Sequence, residues 1–413
     1  MPTCHLCGNA PLIPLLDLGA HPIAQHLLRE RSAETYTHPV RVQLCETCGL
    51  IQLVDSVPPE RFYTNYITLS SWKVHPHVPQ LITLLQKMAG LSPETRIVEV
   101  GSNDGSFLNV LRQHGFTHSV GIEPAQDARA AAQTLGVPTF GEYLTPESAE
   151  RFVAQHGQAD LVISRHVVEH ISELQSFSDA LRKLCRPGAF VLIEIPYFDF
   201  CLDALDYSGI WEQHVNYFTG ATLNYFLERT GIERFHHQTF AFSGTAQVAL
   251  GRFTGKKEPT PLSEEIRAHI CTRALNYRDL YPVFKTALHR ELADCRKNIG
   301  PLALYGAGSR SCSFVNFLEV GGFFDFVADD QPEKQNLFLP GSRLPILPGT
   351  ALDESNVSRC LLGVNAEVED KVIARRTRFT SRGGDFRSIH PPSPRLLDVW
   401  KEVRHQQPVP SAA

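Results

Sequence analysis

The segment Val98-Glu99-Val100-Gly101-Ser102-Asn103-Asp104-Gly105-Ser106-Phe107 constrains this chain more than any other. A β-branched apolar run, Arg96 to Val100, ends in a glycine-containing turn that enters an amphipathic stretch. That order reads as a buried strand, a tight turn and a helix. Gly101 and Gly105 let the backbone pass close to a ligand. The GxGxxG spacing of a dinucleotide fold is missing. Glu99 and Asp104 beside the turn would repel a diphosphate. They suit a ligand with a cationic amino group and a sulfonium, the chemistry of S-adenosylmethionine. The following strand ends in Gly121-Ile122-Glu123-Pro124. A carboxylate there, about 20 residues past the turn, is placed to accept ribose hydroxyls. The plainer alternative is a generic α/β turn with a solvated glutamate.

Further short apolar runs follow the same rhythm: Asp160 to Ile163, Phe190 to Ile195, Leu302 to Tyr305 and Phe324 to Val327. Amphipathic stretches lie between them, so the expected class is α/β with buried parallel strands. Ligands in such sheets sit at the carboxyl ends of strands. Ser164 to His170 should therefore line the pocket, with Ser164 and His166 on the cofactor side. His166 and His170 are four apart, which puts them on one face if the segment is helical.

Three regions separate: residues 1–70, with little helix patterning; 71–261, a Rossmann-like domain of the class I methyltransferase type; and 262–413, a helical connector followed by a second Rossmann-like α/β unit. The connector reads as a hairpin capped at Ser263 and broken near Pro282. The last 20 or so residues, with Pro392, Pro394, Pro408 and Pro410, are expected to be partly disordered.

The first region carries Cys4-x2-Cys7 and Cys45-x2-Cys48. Each pair closes on a turn with a glycine after the second cysteine. Four thiolates suit tetrahedral zinc with every position filled, which makes a structural site. The other reading is two unrelated pairs of buried cysteines. His5 is taken as a bystander rather than a ligand. The remaining six cysteines are scattered, as in a cytoplasmic protein that forms no disulfide framework. The first apolar stretch, around Leu12 to Leu18, is broken by Pro14 and Asp17, so no signal peptide is expected. No run is long and apolar enough for a membrane span. The formal net charge of −5 disfavours nucleic acid and anionic membrane as partners. A small-molecule substrate remains, and the oligomeric state is open.

The chain resembles the zinc-containing sugar C-methyltransferases that act on nucleotide-linked 4-keto-deoxysugars. The resemblance runs from the cysteine pairs and Leu16-Asp17-Leu18-Gly19 through the Glu99-to-Gly105 loop and Glu194-Ile195-Pro196-Tyr197. It continues to Asp329-Asp330-Gln331-Pro332 and Leu339-Pro340-Gly341. The family's Tyr-x-Glu-His signature maps onto Trp211-Glu212-Gln213-His214, ahead of Tyr217-Phe218. The histidine is kept, while tryptophan stands for the tyrosine and glutamine for the glutamate. The family's Tyr-x-Tyr-x-Ser-Ser segment reads Tyr66-Ile67-Thr68-Leu69-Ser70-Ser71 here.

The resemblance implies His214 as a base that forms an enolate, with His170 steadying it or shuttling protons. Glu212 would orient His214 or bind a hydroxyl. Tyr66, Trp211, Gln213 and Tyr217 would contact the substrate. A separate reading concerns Gly306-Ala307-Gly308-Ser309-Arg310. Backbone N–H groups with Ser309 and Arg310 can hold an anion such as a nucleotide diphosphate. The alternative is a vestigial nucleotide fold. Two other functions remain open: an N- or O-methyltransferase on the same scaffold, and a non-catalytic cofactor- and zinc-binding assembly protein.

Overall fold

The computed structural model describes residues 2–58, 61–62, 76–242, 244–256 and 258–405. Tyr66 lies outside the described residues. In chain order, the strands begin with β1 (Ile13–Pro22), β2 (Thr37–Leu44) and β3 (Ile51–Leu53). The middle region has β4 (Ile97–Val100), β5 (Ser119–Ile122), β6 (Thr139–Phe140), β7 (Ala159–Arg165) and β8 (Cys185–Pro196). β9 (Asn216–Tyr217), β10 (Ile232–Phe240) and β11 (Ala246–Phe253) follow. The C-terminal region has β12 (Leu302–Tyr305), β13 (Phe324–Asp329), β14 (Ile346–Pro348), β15 (Arg359–Leu362) and β16 (Asp385–Ser388).

Three sheets result. The middle one has the order β10-β11-β8-β7-β4-β5-β6, with β11 antiparallel to both neighbours and the rest parallel. This is the class I methyltransferase arrangement. Every residue of β4 is buried, because helices cover both faces. The Leu174–Leu184 helix shows why those helices form: Leu174, Phe177, Ala180, Leu181 and Leu184 make one buried stripe. The C-terminal sheet, β14-β13-β12-β15-β16, is wholly parallel and Rossmann-like.

The N-terminal sheet is β1-β2-β3-β9, so the middle region supplies its fourth strand. One apolar core joins Leu15, Leu44 and Ile51 of that sheet to Tyr277 and Phe284 and on to Leu304 and Leu361.

The helix Glu264–Asn298 corrects the expected hairpin: it runs for 35 residues straight through Pro282. Ser263 does cap it, accepting from the N–H of Ile266 at 3.3 Å. An internal proline costs about 3 kcal/mol. Here Ile270, Ala274 and Tyr277 on one side of Pro282, and Phe284, Leu288 and Leu292 on the other, are buried in the same core. That burial, at roughly 1.5–3 kcal/mol for each large side chain, outweighs the break.

The expected disorder of the tail is also corrected as far as residue 405. Val399–Arg404 is a helix whose Trp400 is buried, with its ring centroid 4.9 Å from that of Phe284. Glu291 accepts from the N–H groups of Asp398 and Val399. No described helix is long and apolar enough to cross a membrane.

Candidate functional site

The four N-terminal cysteines converge. Sγ of Cys4 and Cys48 lie 3.5 Å apart, as do those of Cys7 and Cys45. All four sulfurs fall within 4.8 Å of one another. Zinc with bonds of about 2.3 Å requires sulfurs about 3.8 Å apart, so the donor set fits. Each pair is folded by a turn that ends on glycine, at Gly8 (φ +77°) and Gly49 (φ +73°). His5 faces away: its Nδ1 lies 2.9 Å from Oδ1 of Asn216. A Cβ on Gly49 would stand 2.8 Å from Ile270, so the second knuckle is also the seat of the long helix.

The order of the middle sheet reverses between β4 and β7, and a cavity of about 600 Å³ opens at their carboxyl ends. Glu99, Gly101, Asn103, Asp104, Glu123, Pro124 and His166 line it. Glu123 accepts the N–H of Asn103 on Oε2 and that of Ala125 on Oε1, each at 2.9 Å. Burial raises its carboxyl, and those two hydrogen bonds oppose the shift. Burial likewise pushes Glu99 up to about 8, against the nearby Arg165 guanidinium. Oε2 of Glu99 has no hydrogen-bond partner among the described residues. A buried carboxylate so poorly paired favours a cationic group in the cavity. The lining thus fits S-adenosylmethionine, with the Glu99 and Glu123 carboxylates available to its amino group and ribose.

Two expected cofactor residues are placed elsewhere. Ser164 is fully buried within β7 and is absent from the lining. Gly105 is also absent; a Cβ there would meet Ala132 at 3.0 Å and Val137 at 3.1 Å. Its role is helix packing. Gly101 does line the cavity, yet what crowds it is Val167, whose Cγ2 is 2.4 Å from a built Cβ. His166 and His170 do not share a helix face. His166 closes β7 with φ +54°, and His170 ends a short 3-10 turn, Val168–His170.

A second cavity, of about 410 Å³, lies between the middle region and the C-terminal sheet. It opens where that sheet also reverses order, between β12 and β15. Trp211, Gln213, His214, Tyr217, Ser309 and Arg310 all line it. His166, His170 and Gln213 line both cavities and mark where the two meet. The His170 and His214 ring centroids are 4.8 Å apart, and Trp211 stands edge-on to His214 at 4.7 Å. Burial, helped by the neighbouring His170 and His166, holds His214 well below the ordinary histidine value.

Glu212 does not orient His214. Its Oε1 accepts from the N–H of Ala24 and from Nε1 of Trp211, both at 2.9 Å. The turn that bonds the His214 N–H to the Trp211 carbonyl directs Glu212 toward the N-terminal module. Burial pushes this carboxyl up to about 7. The Tyr217 hydroxyl is likewise occupied, donating to the Trp211 carbonyl and accepting from its N–H. Arg310 donates from Nη2 to Asp206 at 2.5 Å, while its Nε and Nη1 have no hydrogen-bond partner among the described residues.

Arg165 and Val167, within the Ser164-to-His170 run expected there, line the first cavity; Tyr143 lines it, and Asp206, Phe242 and Lys334 line the second, without having been singled out in the sequence. Arg165 had a signal: it follows a buried strand directly. Its Nε donates to Glu194 at 2.6 Å, and its guanidinium lies 4.3 Å from the Phe107 ring centroid. The others come from loops with no pattern of their own.

This fold and these cavities define an S-adenosylmethionine-dependent methyltransferase with an N-terminal cysteine cluster suited to structural zinc. Family models match in the same order: "Putative zinc binding domain" at residues 4–63, "Methyltransferase domain" at 75–237 and "C-methyltransferase C-terminal domain" at 262–391. The chain is 26% identical over 411 residues to C-methyltransferase NovU of Streptomyces niveus, covering 96% of this chain and 97% of the relative. A ubiquinone biosynthesis O-methyltransferase of Methylobacterium sp. (strain 4-46) is 32% identical over 107 residues, which is 25% of this chain and 40% of that one. Among solved structures, magnesium protoporphyrin IX methyltransferase from Synechocystis PCC 6803 covers 47% of this chain and 96% of its own, at 15% identity and a TM-score of 0.37.

Proposed function

We propose that this methyltransferase alkylates a carbon beside a carbonyl in a small-molecule acceptor, with nucleotide-linked keto-sugars as the preferred class. One observation carries the reading: a half-buried His214 on the wall of the second cavity, beside a His170 that reaches both. A neutral imidazole can take a C–H proton next to a ketone. The carbon so freed attacks across the junction marked by His166, His170 and Gln213. When bound, S-adenosylmethionine supplies the sulfonium methyl, and its sulfur keeps the electron pair of the broken C–S bond. His214 then returns its proton to solvent. His170 donates Nδ1–H to the Gln213 carbonyl, which turns its Nε2 to the remaining space.

The preference for a nucleotide-linked acceptor is supported by Arg310, whose Nε and Nη1 hydrogens are uncommitted among the described residues, and by Lys334 on the same wall. The C-methyltransferase NovU likeness supports a carbon acceptor. None of the ten cysteines, all among the described residues, is in a disulfide, which suits a reducing cytoplasm.

The test is transfer from a deuterium-labelled methyl donor to keto-sugar nucleotides, keto-acids and amines, followed by mass spectrometry. Label on a sugar carbon is expected. His214→Ala should lower kcat by roughly 10²–10⁴ and leave donor affinity unchanged. Label on a hydroxyl or amine, or turnover indifferent to His214, would overturn the reading.

A further inference from the structure

His5 lies between the first two cysteines but is not among the four converging donors. Its partners are nevertheless specific. The Cys4–Cys7 loop is closed by its own backbone: the Gly8 N–H donates to the Cys4 carbonyl at 2.9 Å, and the Cys4 N–H to the Asn9 carbonyl at 3.0 Å. The His5 N–H leaves the loop and donates to Oε1 of Gln52 at 2.9 Å. Nε2 of Gln52 donates back to the Thr3 carbonyl at 3.1 Å. Gln52 on β3 and Asn216 on β9 stand opposite each other, so their side chains share a face of the sheet. Both are buried.

Asn216 completes the path. Its Nδ2 donates to the carbonyls of Ile171 at 2.7 Å and Val168 at 3.2 Å. A carbonyl only accepts, so both amide hydrogens are committed and Oδ1 is left as the acceptor. Oδ1 lies 2.9 Å from Nδ1 of His5, and that nitrogen therefore carries the hydrogen. The partners thus fix the amide orientation and the tautomer.

The two carbonyls bracket the turn Val168–His170, which carries His170. Asn216 itself follows His214 by two residues, and between them the Val215 N–H donates to the Glu169 carbonyl at 2.8 Å. Residues 168–171 and 213–216 therefore set the separation of the His170 and His214 rings, whose centroids are 4.8 Å apart. Without the His5 hydrogen, Oδ1 of Asn216 would be a buried acceptor with no partner, on the side chain that holds the turn. That costs about 1–3 kcal/mol and frees the amide to move.

We propose that His5 is a positioning residue for methyl transfer: through Asn216 it makes the cysteine loop the support that holds His170 and His214 in place. Four thiolates closed on zinc stiffen the loop, and His5 joins it to the turn beneath the two histidines. The roles of His170 and His214 rest on the function proposed above.

The experiment compares two variants of the zinc-loaded full chain. His5→Phe keeps a ring and removes the hydrogen, while His5→Asn offers an amide hydrogen in its place. Zinc content and S-adenosylmethionine affinity should match the wild type in both. Backbone hydrogen exchange, read by mass spectrometry, should rise in His5→Phe over residues 165–171 and 213–217 and stay unchanged over 101–107. In His5→Phe kcat should fall roughly ten- to hundredfold with the KM for the donor unchanged, since a small misplacement of reacting groups is costly. His5→Asn should restore most of both. A lower melting temperature with exchange and kcat at wild-type levels, or losses that His5→Asn does not restore, would overturn the proposal. If His5→Phe loses zinc or does not fold, the ¹⁵N imidazole spectrum of the wild type decides: a hydrogen on Nδ1 of His5 supports the proposal, and a bare Nδ1 overturns it. Turnover indifferent to His214→Ala would overturn the base reading and leave the exchange result untouched.

Discussion

The middle and C-terminal sheets close their glycine turns in the same way and use them differently. In the middle sheet, Glu123 at the end of β5 accepts the N–H of Asn103 in the turn and that of Ala125 just beyond itself. In the C-terminal sheet, Asp329 at the end of β13 accepts the N–H of Ala307 in the turn and that of Gln331. The local chemistry is matched. The surroundings are not. Glu123 lines a cavity of about 600 Å³, and its pKa is raised by burial. Asp329 lines neither cavity described here and has Lys334 at 3.8 Å. A shared turn therefore does not make a shared site. What faces the carboxylate decides whether it holds a ligand or only closes a loop.

The sharpest way to break this comparison is to remove each carboxylate in turn. Glu123→Ala should cost about 1.5–3 kcal/mol of donor affinity, roughly 10- to 100-fold, because hydrogen bonds to a charged group are lost. Asp329→Ala should leave donor affinity unchanged and lower the melting temperature instead. Calorimetric titration beside thermal denaturation reads both. Equal losses of donor affinity would mean that the two turns act on one ligand.

The glycines offer a smaller contrast. Gly101 has φ +70° and would place a Cβ against the Val167 side chain; Gly306 has φ +103° and would meet both Val364 and the Gly363 carbonyl, at 2.8 and 3.1 Å. Either change to alanine should destabilise by about 1–3 kcal/mol. Val167→Ala should restore part of the loss at Gly101. Val364→Ala should not rescue Gly306→Ala, since the backbone carbonyl remains. Denaturation midpoints of the four single and two double variants decide this.

A last contrast concerns pH. Burial raises Glu99 from 4.5 to about 8 in the folded chain, so the folded state binds this proton more tightly than the unfolded one. Its contribution to stability is fully present below about 4.5 and is lost as pH rises to about 8. A cationic donor group favours the ionised form, so donor binding should release a proton and tighten across the same interval. Glu99→Gln should flatten both dependences. Proton release measured in buffers of different ionisation enthalpy, or a donor affinity independent of pH in the wild type, tests the sign.

Much of this was legible from local pattern. Strands β4, β5, β7, β8, β12 and β13 of the two Rossmann-like sheets were readable as short apolar runs closed by turns, because burial on two faces leaves no room for polar alternation. The cysteine pairs were readable from spacing alone, since two residues between thiols is what a metal knuckle needs. Glu99, Asn103, Asp104 and Glu123 followed from the order strand, turn, helix, strand. Glu212 was not legible. Its carboxylate was expected beside His214, but Ala24, far off in sequence, takes it. The hairpin expected at Pro282 failed for a related reason: propensity speaks for one turn of helix, while burial is summed over all of them.

The sequence by itself determined the class of each region and the residue types at the first glycine turn, since these depend on neighbours within about 20 residues. Only the tertiary structure decided that β9 completes the N-terminal sheet. It alone brought His170 and His214 together from segments 44 residues apart, and aligned the switch points of both sheets on one pair of joined cavities. The physical reason is that dihedral preference, turn chemistry and metal spacing act along the chain. Packing and desolvation act through space, between residues whose proximity no local pattern records.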